Sequence, residues 1–456
     1  MSILSAPARL TSRRPSPTAV RLLVLAAATF TFVTTETQPI ALLAPMARGL
    51  HVSESSVGLL MTAYAGIAAL TAIPLTVLAS RVPRRRLVIV TVATLVASQL
   101  ALALAPDYGV ALGARVLGAF AHGVFWSVVA QVAAGLVPRD RLGRATAAAF
   151  AGNSVALVAG TPLVSALGAI VGWRAAVSTM GVIALAVVVA MAVVLPEVPA
   201  ASAAHGRRRT ILARALRHPG VLLVSAVTVL LAFGQFVAFT YLAPLVRAHT
   251  GLTGTGVSAV LLAYGAAGVV GVARVGSIAD HRPRGALLAC CAAIVAGLAL
   301  IAAVSHGTVA MIAGVVVWGA GFTALPICLQ SAVLRVAPEI PDTASALYVV
   351  AFQIGIGGGA LAGAALLGAG DLPAIPDLAL ALFIAGSLVA AAAGTTFGGR
   401  AAPSPRAVAA TAARSARSLR RRRGPDGHAA TRRSLRPPST RRGSRSRSRE
   451  RRAARR

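Results

Sequence analysis

Twelve apolar runs, each of roughly 20 residues, follow one another along this chain and limit what it can fold into. Each run is long enough for a helix to cross the ~30 Å hydrocarbon core of a bilayer, and too long for a barrel strand. With 57% hydrophobic and 12% charged residues, the composition is unlike that of a soluble domain. We therefore predict an all-α membrane protein with spans near residues 20–46, 56–79, 87–105, 110–136, 144–170, 174–195, 219–246, 255–276, 285–304, 308–333, 343–368 and 377–398.

Arginine is unevenly distributed between the loops that join these runs. Outside the C-terminal tail, alternate loops starting with the N-terminus hold 20 arginines, whereas the other loops hold Arg48, Arg174 and Arg247. Cytoplasmic loops of membrane proteins carry the excess of basic residues. We therefore predict a multi-pass protein of the cell membrane with both termini in the cytoplasm.

A second group of 20 arginines lies in the tail, residues 400–456, and is opposed there by Asp426 and Glu450. Few residues in this segment can form a core, so we predict a disordered tail. It is expected to bind anionic membrane lipid, or to be sequence translated out of frame from a GC-rich gene. Binding to nucleic acid is not expected, because the tail has no aromatic residues on which bases could stack.

The residue types that are missing argue against an enzyme. All 44 basic residues are arginine, so the chain has no lysine for a nucleotide-binding P-loop or a Schiff base. Cys290, Cys291 and Cys328 lack metal-ligand spacing and lie in apolar runs, where cysteine behaves as a small hydrophobic residue. We expect no catalytic residues, metal or cofactor.

The two halves of the chain repeat one another. The run Val57 to Tyr64 matches Val257 to Tyr264, and Arg84 stands opposite Arg284 in the same register. Transporters built from two parallel six-helix halves hold their substrate between the halves near the membrane midplane. The predicted organisation is a first half (1–195), a basic cytoplasmic linker (196–218), a second half (219–398) and the disordered tail (399–456).

Four motifs stand in these spans and loops. They are the loop segments Thr76-Val-Leu-Ala-Ser80-Arg81-Val-Pro83-Arg84-Arg85 and Gly276-Ser-Ile-Ala-Asp280-His281-Arg-Pro283-Arg284, the fourth-span run Arg115 to Ser127 with His122 and Trp126, the fifth-span Gly160-Thr-Pro162, and the eleventh-span Phe352-Gln353-Ile-Gly355. Over residues 20–398, the chain resembles the major facilitator superfamily in its twelve-helix drug:proton antiporter branch. Within that branch it is most similar to bacterial sugar efflux transporters, with chloramphenicol-type exporters as neighbours.

The resemblance implies a secondary active transporter that exports sugars or sugar-like solutes by proton antiport, acting as a monomer. Multidrug or chloramphenicol-type efflux on the same fold is the first alternative, and a receptor or scaffold without transport is the second. In the family, residues matching Arg81, Arg84, Gly276, Asp280 and Arg284 form a cytoplasmic latch. Positive-inside anchoring would also explain these arginines.

Gly160 and Pro162 are expected to loosen the fifth span, because proline lacks a backbone donor. In a transporter such a point can bend during alternating access. A purely structural role is the alternative.

Apart from Asp377 at the first position of the last predicted span, Glu36 is the one acidic residue that falls within a predicted span. An ionisable group at that depth costs about 2.5–3.5 kcal/mol, so it needs a partner or a change of protonation. We predict that Glu36, with Arg115 and His122, couples transport to protons, since a nearby cation favours an ionised carboxylate and histidine titrates near neutral pH. The alternatives are a solvated Glu36, a snorkelling Arg115 and a packing role for His122.

Five residues are predicted to contact the solute: Trp126, Asn153, Gln38, Gln235 and Gln353. Tryptophan can stack on a sugar ring, and neutral amides can bond hydroxyl groups. Gln235 lies 199 residues after Glu36, so the second half is expected to carry a neutral equivalent of the acid. Interhelical hydrogen bonding and an interfacial aromatic belt are the alternatives.

Overall fold

A computed structural model describes residues 16–79, 82–138, 142–198, 212–279, 281–303 and 307–397, and within these ranges there is no strand. Twelve of the described helices are long and apolar enough to cross a membrane, which confirms the predicted number. They are α1 (Pro17–Ala41), α2 (Glu54–Leu78), α3 (Arg84–Ala103), α4 (Tyr108–Gly135), α5 (Ala148–Val171), α6 (Trp173–Val194), α7 (Pro219–Phe239), α8 (Thr255–Ala279), α9 (Pro283–Ala303), α10 (Thr308–Val336), α11 (Pro341–Gly368) and α12 (Ala374–Ala392).

Two predicted spans, 20–46 and 219–246, are each divided into a long and a short helix. The short helices are Leu43–Gly49 after α1 and Leu242–Thr250 after α7. The third residue of each short helix is a proline, Pro45 and Pro244. Proline has no N–H, so it cannot form the main-chain hydrogen bond that would join the short helix to the long one before it. The two breaks lie at equivalent positions of the repeat.

Helices α5 and α10 are also irregular. The span α5 contains the end of helix Leu142–Val155, then a π-helical turn at Ala156–Gly160, then helix Thr161–Val171. The π-helical turn lies just before Pro162. Helix α10 consists of Thr308–Phe322 and Leu325–Val336. The fifth span therefore contains a local distortion where Gly160 and Pro162 predicted a loosened helix, and such turns often occur at functional sites.

The twelve helices form two six-helix pseudo-repeats, and one pair of contacts shows the register. Arg85 at the start of α3 donates to the carbonyl of Ala192 in α6, and Arg284 at the start of α9 donates to that of Ala391 in α12. Each arginine lies 107 residues before its acceptor and places a cation at a helix C-terminus. We call these two contacts the arginine clamps. In the structure the equivalent of Arg284 is therefore Arg85, whereas the sequence repeat had placed Arg84 opposite Arg284.

The halves meet along α2 with α11 and along α5 with α8. Small residues allow the backbones to approach closely. A Cβ at position 58 of α2 would overlap the ring of Tyr241, and one at position 265 of α8 would overlap the carbonyl of Val158. The space that glycine leaves at these two positions is therefore filled by the opposite half.

The two ends of the bundle differ in charge. We call the end with Arg48, Glu54, Arg174 and Arg247 the arginine-poor face, and the opposite end, where the arginine clamps lie, the arginine-rich face.

The three cysteines, Cys290, Cys291 and Cys328, form no disulfide and are buried in α9 and α10. Arg81, Asp280, linker residues 199–211 and the tail from residue 398 lie outside the described residues.

Candidate proton and solute site between the halves

Glu36 lies in the buried half of α1, where its side chain and main chain together are 8% exposed. The hydroxyls of two neighbouring threonines bond carbonyls one turn earlier in the same helix. Thr35 Oγ1 donates to the carbonyl of Phe32 at 2.9 Å, and Thr37 Oγ1 donates to that of Val33 at 3.2 Å. These two hydroxyls are thus satisfied within α1, whereas the partners of Glu36 lie on other helices.

Two partners of Glu36 come from different halves. Nδ1 of His122 in α4 is 3.8 Å from Glu36 Oε2. The amide nitrogen of Gln353, in α11 of the second half, donates to Glu36 Oε1 at 3.2 Å. The same nitrogen is 2.9 Å from His122 Nε2, so Gln353 joins the acid and the histidine to the opposite half.

The partners of His122 determine where its proton lies when Glu36 is ionised. An ionised carboxylate only accepts, so the Gln353 group facing Glu36 must be the amide NH₂. Its second hydrogen faces His122 Nε2, which must therefore accept. The neutral imidazole then carries its hydrogen on Nδ1, 3.1 Å from the Tyr64 hydroxyl. A proton added at Nε2 would set two donors against each other.

Arg115 lies beside this cluster but bonds the main chain. Its guanidinium donates from Nη1 to the carbonyl of Thr35 and from Nη2 to that of Glu36, both at 2.8 Å. Its carbon Cζ lies 4.4 Å from the centre of the Tyr64 ring, and the residue is 1% exposed. A snorkelling side chain would reach the interface, whereas Arg115 is buried in the interior of the helix bundle.

Aromatic rings line the next layer of the cluster. Phe32 and Phe125 stack with centroids 4.0 Å apart, and His122 lies edge-on to Trp126 at 6.2 Å. Trp126 is half-buried and also contacts Phe150 of α5 at 5.4 Å. Trp126 is thus next to the proposed proton site and is only partly covered by protein.

The predicted amides separate into three environments. Gln353 is part of the Glu36 cluster, whereas Asn153 is half-buried in α5. Gln38 is fully buried in α1, and neither its amide oxygen nor its nitrogen has a hydrogen-bond partner among the described protein atoms. Such a group costs free energy unless water, a solute or another conformation satisfies it.

Gln235 belongs to a separate cluster inside the second half. Its nitrogen donates to the Tyr264 hydroxyl at 2.9 Å, and its oxygen accepts from Trp318 Nε1 at 2.7 Å. Gln235 and Tyr264 are the repeat equivalents of Glu36 and Tyr64. The second half thus has a neutral counterpart of the acid, 199 residues later in the chain, whose amide nitrogen and oxygen are both hydrogen-bonded.

Sequence reasoning missed Tyr64, Phe32 and Phe125 as members of the site. Tyr64 had a usable signal, because it is one of the few polar residues that repeats in register, as Tyr264. Phe32 and Phe125 had none, since an apolar residue in an apolar span gives no indication of the neighbour that it stacks against.

The described residues that were predicted to act in conformational change fall in two regions, the helix ends at the arginine-rich face and the neighbourhood of the π-turn in α5. Arg84 is buried at the start of α3, where its backbone N–H donates to the carbonyl of Val198 at 3.0 Å, and Gly276 lies near the end of α8. Gly160 abuts Thr34 of α1, so a side chain there would overlap the Thr34 hydroxyl. The π-turn of α5 therefore packs directly on the helix that carries Glu36.

The halves are joined at the arginine-poor face by polar contacts. Arg247 Nη2 lies 2.6 Å from both carboxylate oxygens of Glu54. Deeper in the bundle, Ser165 and Ser258 share a hydrogen bond of 2.8 Å between α5 and α8. The ion pair also borders an open surface pocket of about 680 Å³ lined by residues of both halves. In this structure the arginine-poor face is closed across the halves.

Neutralising Arg247 is expected to open that face more often. The reporter is Ala65→Cys, because residue 65 is buried and faces Gly357 of the other half. In this background Arg247→Gln should raise the rate of labelling by an impermeant maleimide about 2- to 5-fold, which corresponds to the free energy of a partly exposed ion pair. Glu54→Arg with Arg247→Glu should return labelling to the starting rate.

The control for this experiment is Arg174→Gln, which removes a cation from the same face but from a contact with Ala105 inside the first half. Equal labelling in the Arg247→Gln and Arg174→Gln variants would contradict a gating role for the ion pair.

Comparison with known proteins defines the class. Residues 23–360 match the sequence model of the Major Facilitator Superfamily. A chloramphenicol efflux pump of Mycobacterium tuberculosis is 41% identical over 357 residues, or 76% of this chain and 86% of the relative. A protein of Mannheimia succiniciproducens named "Probable sugar efflux transporter" is 33% identical over 343 residues, or 75% of this chain and 86% of that protein. The chain belongs to the major facilitator superfamily of membrane transporters, as its motifs predicted.

Solved structures agree on the fold. A bacterial homologue of the human lysosomal transporter Spinster, described as inward-facing and unoccupied, has a TM-score of 0.67 at 16% identity and covers 84% of this chain and 98% of its own. The nucleoside transporter NupG has a TM-score of 0.65 at 11% identity, covering 82% of this chain and 99% of its own. The peptide transporter POT has a TM-score of 0.67 at 13% identity, covering 82% and 94%.

Proposed function

We propose that this chain is a proton-driven exporter of small organic solutes. The observation that carries the proposal is the Glu36 cluster, in which a buried carboxylate and a histidine of the first half share one amide, Gln353, of the second. A carboxylate at this depth is costly when ionised and tolerable when protonated. A group of this kind suits a carrier that binds a proton in one conformation and releases it in another.

The shared amide gives the proton a way to act on the interface between the halves. With Glu36 ionised and His122 neutral, Gln353 donates to both. A proton on His122 Nε2 removes one acceptor, and a proton on Glu36 weakens the other. Either event loosens the link between α1, α4 and α11, and thereby favours separation of the halves.

The transport cycle follows from this coupling. Solute loads from the cytoplasmic side while Glu36 is ionised, and a proton from outside favours solute release and resetting. One proton moving down 100 mV provides about 2.3 kcal/mol, which supports roughly a 50-fold gradient of a neutral solute.

The surroundings of the cluster favour an amphipathic solute with an aromatic ring. Trp126 and Phe150 are both half-buried and contact each other next to His122, and such rings can stack with the ring of a solute. The 41% identity to a chloramphenicol pump supports the same class. We therefore place chloramphenicol-type compounds first.

Sugars are the second candidate. Gln38, whose amide has no hydrogen-bond partner among the described residues, and the half-buried Asn153 provide groups that can bond hydroxyls. The relative named for sugar efflux, at 33% identity, points in the same direction.

We further propose that the protein lies in the cell membrane with the arginine-rich face and both termini in the cytoplasm. In this proposal the halves are 1–195 and 219–398, the linker is 196–218 and the tail is 399–456. Protons, the solute and membrane lipid are the proposed partners, and the proposed state is a monomer.

The test is proton flux in everted vesicles that hold an imposed pH gradient. Adding a phenicol drug should collapse the gradient in wild-type vesicles, and not in vesicles with Trp126→Ala, whereas a disaccharide should give a smaller response. A response to the sugar alone would favour the second candidate. Wild-type vesicles that respond to both compounds no more than vesicles without the protein would contradict proton-driven export of both solute classes.

A further inference from the structure

Helix α1 lacks one of its main-chain hydrogen bonds close to Glu36. Pro39 lies inside the helix and has no N–H, so the carbonyl of Thr35, four residues earlier, loses its usual donor. Thr35 is fully buried, so bulk water cannot replace that donor. In a membrane interior such a carbonyl must be satisfied by a neighbouring group.

Arg115 of α4 supplies the missing donor. Its Nη1 bonds the Thr35 carbonyl, and its Nη2 bonds the carbonyl of the next residue, Glu36, both at 2.8 Å. A guanidinium carries its donors in a rigid planar fork, which can span two successive carbonyls. A lysine ammonium offers only a single point charge at the end of a flexible chain.

We propose that Arg115 is a positioning residue that replaces the hydrogen bond lost at Pro39, and that this holds the turn of α1 from which the Glu36 side chain projects. The inference rests on the proposed role of Glu36 as proton carrier. It differs from the expectation that Arg115 acts through its charge on the carboxylate. The need for Arg115 is conditional, because it exists only while position 39 is a proline.

Four variants test this dependence: Arg115→Met, Arg115→Lys, Pro39→Ala, and Pro39→Ala combined with Arg115→Met. Proton-driven export should fall at least 10-fold in Arg115→Met and nearly as far in Arg115→Lys. Pro39→Ala, which restores the main-chain donor, should stay within about 3-fold of wild type. The double variant should export at least 5-fold better than Arg115→Met, with the wild-type pH profile.

A double variant no better than Arg115→Met would overturn the proposal, as would full activity in Arg115→Lys, because that result would assign the role to charge. Thermal unfolding of the four purified variants gives a second, independent reading. Arg115→Met should lower Tm more in the wild-type background than in the Pro39→Ala background. Equal shifts would also overturn the proposal, and this measurement remains valid if the wild type transports none of the tested solutes.

Discussion

Replacing Glu36 by glutamine is expected to abolish proton-driven accumulation of solute while leaving solute exchange intact. Glutamine keeps the size of the side chain and can still bond Gln353, but it cannot bind and release a proton. At 100 mV, the solute gradient should fall from about 50-fold to about 1-fold. The comparison is accumulation under an imposed pH gradient against counterflow, which needs no net proton movement.

Glu197→Gln is the matched control for this prediction. Glu197 lies just after the last helix of the first half, where it is exposed at the arginine-rich face and pairs with Arg85 at 2.7 Å. The Glu197→Gln variant should accumulate solute as the wild type does. Normal accumulation in Glu36→Gln would remove Glu36 from the mechanism, and loss of counterflow as well would indicate a defect in binding or folding.

Adding one methyl group at position 58 is expected to disfavour the closed arginine-poor face. In this structure Gly58 of α2 contacts Tyr241 of the second half so closely that a Cβ would overlap the tyrosine ring and hydroxyl. Tyr241 is fully buried and donates to the carbonyl of Ala360 at 3.0 Å, so it cannot move aside freely. Overpacking of this kind costs about 1–3 kcal/mol, or roughly a 5- to 150-fold change in the population of the closed state.

Gly66→Ala is the control, because a Cβ at position 66 of the same helix would meet no heavy atom within 4 Å. Gly58→Ala should reduce transport at least 10-fold and raise labelling of Ala65→Cys from the arginine-poor face, whereas Gly66→Ala should do neither. Tyr241→Ala should partly rescue Gly58→Ala. Equal activity of the two alanine variants would show that this contact does not determine the conformational balance.

The fold was predictable because membrane burial leaves a strong signal in sequence. Runs of apolar residues gave all twelve helices, and the Tyr64 and Tyr264 register gave the two halves. The breaks at Leu42 and Tyr241 were missed, because apolar residues lie immediately on both sides of each break and only Pro45 and Pro244 mark the interruption.

The candidate site was predictable in its members and less so in its contacts. Glu36 stood out as an acid in an apolar span, and seven-residue spacing put Arg115 and His122 on one face of α4. The partner of each group depends on how helices rotate and cross, which spacing within one helix does not give. Hence Arg115 bonds carbonyls of α1, and Gln235 faces Tyr264 rather than the solute site.

The arginine clamps provide fixed reference distances within each half, against which movement between the halves can be measured. Each clamp fastens the first turn of one helix to the last turn of another within the same half, at Arg85 with Ala192 and at Arg284 with Ala391. Spectroscopic probes placed on α3 and α6, or on α9 and α12, should therefore keep a constant separation. Any change in distance between probes on α2 and α11 can then be assigned to movement of one half against the other, calibrated within the same molecule.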